Sequence, residues 1–354
     1  MQRWKRGSNP HQFSADRWRW TRCKEGSGAI TIVTLEDIRQ AQSRLRGIIV
    51  RTPLLEAGSA TAGAADDRQL FFKPENLQPI GAFKLRGAYN KIASLSESER
   101  KHGVITYSSG NHAQGVAYAA RALGVRAVIV MPGNAPALKL EASASLGAEV
   151  VTVGPGSAER QRKAEELAAQ HGYVIVPPYN DEQIIAGQGT MGLEILEDLP
   201  SVETVLVPVG GGGMISGVAT AIKLSRPSVK VIGAEPELAA DAQASLRSGK
   251  LVQFEAEQVL RTAADGLRTQ SIGPINFEHM RLYVDDIVTV SEDEIREALR
   301  QLAVNPKTVA EPSGAVAVAA FLYHRKELPP RKIHVAVISG GNIDPSLLAE
   351  IRRG

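Results

Sequence analysis

A chain of 354 residues can build two compact cores, and its 43% hydrophobic and 22% charged content is ordinary for a globular protein. No apolar run reaches the length of a membrane span. The single cysteine, Cys23, excludes an internal disulfide framework and any CxxC redox or zinc motif, so a cytoplasmic location is expected. The net charge of +3 is local. Residues 1–28 hold Arg3, Lys5, Arg6, Arg17, Arg19, Arg22 and Lys24 against Asp16 and Glu25, together with all three tryptophans. A basic aromatic tail can contact nucleic acid or a membrane surface. It lacks the apolar core of a signal peptide, and its composition reads first as a disordered extension. Neither nucleic acid nor membrane is expected as a partner.

The ordered chain is expected to begin near Thr34. Thr34 with Asp37 resembles a capping box, and Leu35, Ile38 and Leu45 keep a helical stripe over 35–46. Residues 69–73 (QLFFK) read as a short strand leading into KPENLQPIGAFKLRGAYN (73–90). Residues 103–176 then alternate strand and helix: strands at 104–107, 127–131, 148–153 and 173–176, helices around 112–122, 136–146 and 157–170. That alternation implies a parallel sheet covered by helices. After Pro177-Pro178 come strands at 204–209, 230–235, 286–290 and 334–339, with an Ala-rich helix over 314–322. The pattern gives an α/β fold in two parallel-sheet lobes. The expected division is 29–100 plus 181–354 for the large domain and 101–180 for the small one.

Four stretches carry chemistry. Lys84 stands between Phe83 and a helix-like run, and lysine alone among side chains condenses with an aldehyde to form a Schiff base; by itself it reads as a solvated surface residue. Gly210-Gly211-Gly212-Gly213 lies between a strand and the helix starting near Met214, where free N–H groups and the helix dipole suit an anion such as phosphate. Neither a Walker loop nor the dinucleotide spacing fits it. Ser108-Ser109-Gly110-Asn111-His112 follows the 104–107 strand, leaving room for a flat ring and an amide, or forming a plain turn with Asn111 as N-cap. Ser339-Gly340-Gly341-Asn342 follows the last strand and places a hydroxyl where it can face a ring nitrogen, or forms a plain turn.

Together, GAFKLRGA (81–88), SSGNHAQG (108–115), GGGG (210–213) and SGGN (339–342) resemble the fold-type II pyridoxal 5′-phosphate (PLP) enzymes with a tryptophan synthase β-like fold. The likeness is to the branch holding threonine dehydratase and serine racemase, and it covers about 34–350. It implies a cofactor in the cleft between the lobes. By this resemblance Lys84 binds the cofactor covalently and removes the Cα proton. Phe83 packs near the ring, Asn111 meets the 3′-oxygen, Gly210, Gly211, Gly212, Gly213 and Met214 bind the phosphate, and Ser339 faces the pyridine nitrogen. A neutral serine there weakens the electron sink and favours prompt loss of a β-hydroxyl. The resemblance also implies a divalent-cation site, Mg²⁺ or Ca²⁺, at Glu235, the Ala239 carbonyl and Asp241, where an ordinary acidic loop is the alternative. Ser109 matches the acid/base serine of serine racemase; a packing serine is the alternative. The implied activity is an L-threonine/L-serine ammonia-lyase releasing a 2-oxo acid and ammonia. Serine racemase, or a dehydratase of another β-hydroxy amino acid such as 3-hydroxyaspartate, stands second. A homodimer or homotetramer without a C-terminal regulatory domain is expected.

Overall fold

Parallel strands dominate because short apolar runs alternate with helices too long to be hairpin loops. The computed structural model describes residues 30–57, 68–108, 110–135, 137–154, 156–303 and 308–353, without the side chains of 137–139 and 157. The proposed extension 1–28 and Ser109 lie outside the described residues. Among the described residues ten strands form two sheets: β1 (Leu55–Glu56), β2 (Gln69–Pro74), β3 (Val104–Tyr107), β4 (Ala127–Pro132), β5 (Glu149–Val153), β6 (Val174–Ile175), β7 (Thr204–Pro208), β8 (Lys230–Pro236), β9 (Asp286–Val290) and β10 (Ile333–Ile338). The six-stranded sheet runs β1-β2-β10-β7-β8-β9, with only β1 antiparallel, and the four-stranded sheet runs β5-β4-β3-β6, all parallel. Residues 32–354 form one compact unit.

The local signals translate directly. Thr34 and Asp37 make a reciprocal capping box for the helix Leu35–Leu45, whose buried face is Ile38, Ala41 and Leu45. That helix ends before Arg51-Thr52-Pro53, because Gly47 takes a left-handed φ of 79°. Gly110, not Asn111, caps the helix Asn111–Leu123. The helix Glu182–Asp198 is buried without interruption from Ile184 to Leu196, its polar Gln188, Thr190 and Glu194 included. Glycines let it press its neighbours: a Cβ on Gly187 would lie 2.6 Å from Arg86 O, and one on Gly217 would lie 2.2 Å from Ile185 O.

Adjacent parallel strands also bring their carboxyl ends to one edge. There β2 leads to the Lys84 turn, β10 to Ser339, β7 to the glycine run and β8 to Glu235, the place where open α/β sheets bind ligands. No described helix is long and apolar enough to cross a membrane.

Gly217→Ala pushes a methyl group into a neighbouring backbone carbonyl and is expected to cost about 1–3 kcal/mol of stability, as overpacking does. Denaturant titration measures it, and an unchanged midpoint removes this account of the helix contact.

Candidate active site

The Lys84 turn and the final turn are sewn together. Phe83 N–H donates to Ser339 O (3.0 Å), Ala82 and Gly340 form an antiparallel bridge, and Gly341 N–H donates to Gly81 O (2.9 Å). Asn342 Nδ2 adds a bond to Ile80 O at 2.9 Å. Gly81 has φ 71°, which a side chain rarely adopts, and a Cβ there would lie 2.4 Å from Asn342 Oδ1. Lys84 is therefore the first residue of the helix Lys84–Ser94 and stands beside the Ser339 turn.

Lys84 Nζ donates to Pro178 O at 2.7 Å and lies 5.2 Å from the centre of the Phe83 ring. Its surroundings supply no carboxylate partner, and burial pushes its pKa down to about 8. His112 lies close by. Its Nε2 faces Val176 O at 3.0 Å, and since a carbonyl only accepts, that nitrogen carries the proton. Burial, with the Lys84 charge as second cause, holds the His112 pKa down at about 3, so the ring is neutral beside the lysine.

Asn111 spans the two sheets' loops. Its Nδ2 donates to Glu311 Oε1 (2.7 Å) and its Oδ1 accepts from Asn342 Nδ2 (2.8 Å), which leaves one amide hydrogen for a ligand. Ser339 is buried, and its hydroxyl reaches Ser313 O only at 3.4 Å, a bond weak enough to rotate away from.

The glycine run opens the helix Gly213–Ser225, with Gly212 as N-cap at φ 89° and Met214 buried in the first turn. Its carbonyls are pulled outward. Gly211 O accepts from Gly273 N (3.1 Å) and Asn276 Nδ2 (2.5 Å), so the neighbouring N–H groups are left for an anion. Tyr179 lies against this loop: a Cβ on Gly211 would meet its ring at 2.2 Å, and one on Gly213 would meet its Cβ at 3.0 Å. Burial, then the nearby Tyr107 and Asp241, pushes the Tyr179 phenol up to about 12. Residues 178–179 therefore touch both the lysine and the glycine run.

The acidic trio sits one strand further along. Glu235, at the end of β8, accepts from Ala242 N (3.1 Å) and Gln243 N (2.8 Å), and burial with the Asp241 charge raises its carboxyl well above the usual range. Asp241 is buried with no hydrogen bond of ordinary geometry to either carboxylate oxygen, and burial raises it to about 7. Ala239 is buried in the intervening turn. Among the described residues no group of three or more His, Cys, Asp or Glu side chains forms a metal site; this trio offers two carboxylates and a carbonyl.

The structure thus joins Phe83 to Ser339 by a backbone hydrogen bond, sets Lys84 beside Phe83 and ties Asn111 to the same turn through Asn342, and it reaches Gly211 and Gly213 through Tyr179, next to Pro178. Ser109 lies outside the described residues. Sequence reasoning does not single out Pro178, Tyr179, Asn276 or Glu311 as site residues. Only the Pro177-Pro178 break marks their neighbourhood, and no spacing signals the others.

With its pKa lowered, Lys84 is half free amine at pH about 8. Borohydride-trapped condensation with a simple aldehyde is expected to rise with pH and level off above that value. A rise that continues to the ordinary lysine range contradicts the burial.

The profile of the family described as pyridoxal-phosphate dependent enzymes matches residues 45–340. Among curated relatives, an L-threonine ammonia-lyase of Thermotoga maritima is 48% identical over 320 residues, 90% of this chain and 78% of that protein. An L-threo-3-hydroxyaspartate ammonia-lyase of Saccharomyces cerevisiae is 40% identical over 326 residues, 91% of this chain and 97% of that protein. Maize serine racemase superposes with a TM-score of 0.85 at 35% identity, covering 90% of this chain and 97% of its own. The half-buried lysine, the glycine-opened helix and the matched span agree: the chain belongs to the pyridoxal-phosphate dependent enzymes of fold type II.

Proposed function

We propose that this protein is an L-threonine/L-serine ammonia-lyase that eliminates water from the β-hydroxy amino acid and releases a 2-oxo acid and ammonia. The observation that carries the reading is Lys84, half-buried and with its ammonium pKa lowered to about 8 beside the Ser339 turn. Identity of 48% to a threonine ammonia-lyase supports the substrate class.

The donor set fits the cofactor: a neutral-capable lysine, a glycine-opened helix N-terminus, a free amide hydrogen on Asn111 and a rotatable Ser339 hydroxyl. Lys84 would hold PLP through Nζ, Phe83 would lie beside its ring, and Asn111 would donate to its 3′-oxygen. Gly210 to Gly213 and Met214 would bind the phosphate, and Ser339 would face the ring nitrogen. Bound PLP supplies an aldehyde and an electron-withdrawing ring that weakens the substrate's Cα–H bond. Lys84 Nζ, whose free-amine form becomes the major one above pH about 8, takes the Cα proton. Pro178 O orients that amine by accepting its hydrogen. His112, held neutral, adds no competing charge at its side. We assign the cofactor domain to 29–100 plus 181–354 and the small domain to 101–180, following the division of strands between the sheets. The single cysteine fits a cytoplasmic location, and the resemblance of the motifs implies a homodimer or homotetramer.

A second reading, serine racemase, is favoured by Ser109 in the SSGN motif and by the likeness to maize serine racemase. Racemisation needs a second acid/base group on the face opposite the lysine. Likeness to the yeast enzyme keeps 3-hydroxyaspartate as a further substrate.

With PLP present, L-threonine and L-serine are expected to give oxo acid rapidly and D-amino acid slowly. Lys84→Ala is expected to lose about 10³-fold or more in rate. Oxo acid production in Lys84→Ala at the wild-type rate removes the proposal. D-serine formation abolished in Ser109→Ala, with elimination intact, selects the racemase.

Glu235, the Ala239 carbonyl and Asp241 would hold Mg²⁺ or Ca²⁺, since unpartnered buried carboxylate oxygens suit a hard cation. Cation at a hundred times its dissociation constant is expected to stabilise the protein by about 2.7 kcal/mol. Thermal melts check this. Equal shifts in wild type and Asp241→Asn remove the site.

A further inference from the structure

Behind the reacting lysine lies a cluster of four buried charges that the chemistry above does not use. Lys73 is the last residue but one of β2, Glu75 directly follows the strand, Arg86 is in the first turn of the Lys84 helix, and Glu194 is on the helix Glu182–Asp198. The side chains of Lys73, Glu75 and Arg86 are 0% exposed and that of Glu194 is 5% exposed. Arg86 uses every hydrogen of its guanidinium. Nε donates to Glu75 Oε2 (2.7 Å), Nη1 to Thr190 Oγ1 (3.0 Å) and Glu194 Oε1 (2.7 Å), and Nη2 to Glu75 Oε1 (2.8 Å) and Glu194 Oε2 (2.8 Å). Lys73 Nζ donates to Glu194 Oε2 and to Thr52 O, each at 2.7 Å. Glu75 also accepts from Thr52 Oγ1 (2.8 Å) and Gln78 Nε2 (3.0 Å).

Two positive and two negative charges leave the cluster neutral. Such clusters seldom outdo a hydrophobic filling in stability, because desolvation offsets the attraction. What a planar guanidinium gripped by two carboxylates provides is direction. Arg86 is two residues past Lys84, and a helix turns about 100° per residue, so any rotation that moves Arg86 swings Lys84 as well. The backbone there is already confined. A Cβ on Gly187 would lie 2.6 Å from Arg86 O, and one on Gly115 would lie 3.3 Å from the Lys84 carbonyl carbon. Close approach at these two contacts limits translation of the turn and leaves rotation for the side chain to fix. We propose that Arg86, gripped by Glu75 and Glu194, is a positioning residue for Lys84 that sets the rotation of the helix's first turn and so aims Nζ at the reacting carbon.

The inference rests on the reading of Lys84 as the reacting amine. The test compares full-length wild type, Arg86→Lys and Thr190→Val, loaded with PLP, by kcat per bound cofactor and KM for L-threonine. A further readout, independent of turnover, is the rate at which cofactor-stripped protein takes up PLP in a form that borohydride fixes to Lys84. Arg86→Lys keeps the charge and loses the two-sided grip. Its kcat is expected to fall by about 10²-fold, the scale of an ångström-sized misplacement. KM is expected to stay within about threefold, as for an interaction used in the transition state, and PLP fixation is expected to slow in parallel. Thr190→Val removes one bond to the guanidinium, and the hydroxyl's own bond to Gly187 O, with no change of charge, and is expected to lower kcat and fixation by about tenfold, the lower end of the scale of a hydrogen bond to a charged group. If Arg86→Lys does not fold, Thr190→Val decides alone. Wild-type kcat and fixation per folded site, with only a lower melting temperature, overturn the proposal by making the cluster purely structural. A wild type that neither fixes PLP nor turns over L-threonine overturns the proposed function, and this inference with it.

Discussion

Backbone hydrogen bonds between residues 80–83 and 339–342 hold together two turns that are more than 250 positions apart in the chain. Everything in the site refers to this seam. It sets Phe83 and the first turn of the Lys84 helix against Ser339, and through Asn342 it reaches Asn111 on the loop after β3. The seam exists because β2 and β10 are parallel neighbours, so both chains leave the sheet at the same edge and meet there. Each crossing of the seam is a backbone or amide bond, which constrains direction as well as distance.

Charge is then placed on that frame in two contrasting ways. Around Arg86 two carboxylates meet two cations, and every guanidinium hydrogen has an acceptor. Around Asp241 a buried carboxylate faces a second one, and neither of its oxygens has an ordinary partner. The first arrangement is closed and rigid; the second is short of positive charge. Lys84 stands between these extremes, with a single carbonyl acceptor and a pKa of about 8, so its amine can give up and take back a proton near neutral pH.

The strands, the capping box of Thr34 and Asp37, and the four motifs are legible in the sequence because each depends on neighbours in the chain. Alternation of apolar runs with helices, glycine at a helix start and a threonine three residues before an aspartate are local signals. The helix Glu182–Asp198 gives no polar face to read, since it is buried on every side and its glycines answer to other backbones. Pro178, Tyr179, Asn276 and Glu311 escape for the same reason: what matters about each is which atom, far away in sequence, it touches.

By itself, then, the sequence determined the α/β class, the lysine, the glycine run and the two turns that follow β3 and β10, because periodicity and turn chemistry are written in adjacent residues. Only the tertiary structure decided that the Lys84 ammonium is desolvated, that His112 beside it is neutral, and that Arg86 is gripped from both sides. It also decided that the Asp241 carboxylate is buried beside that of Glu235. Each of these depends on the dielectric and the partners that a side chain meets after folding, and no spacing along the chain encodes them.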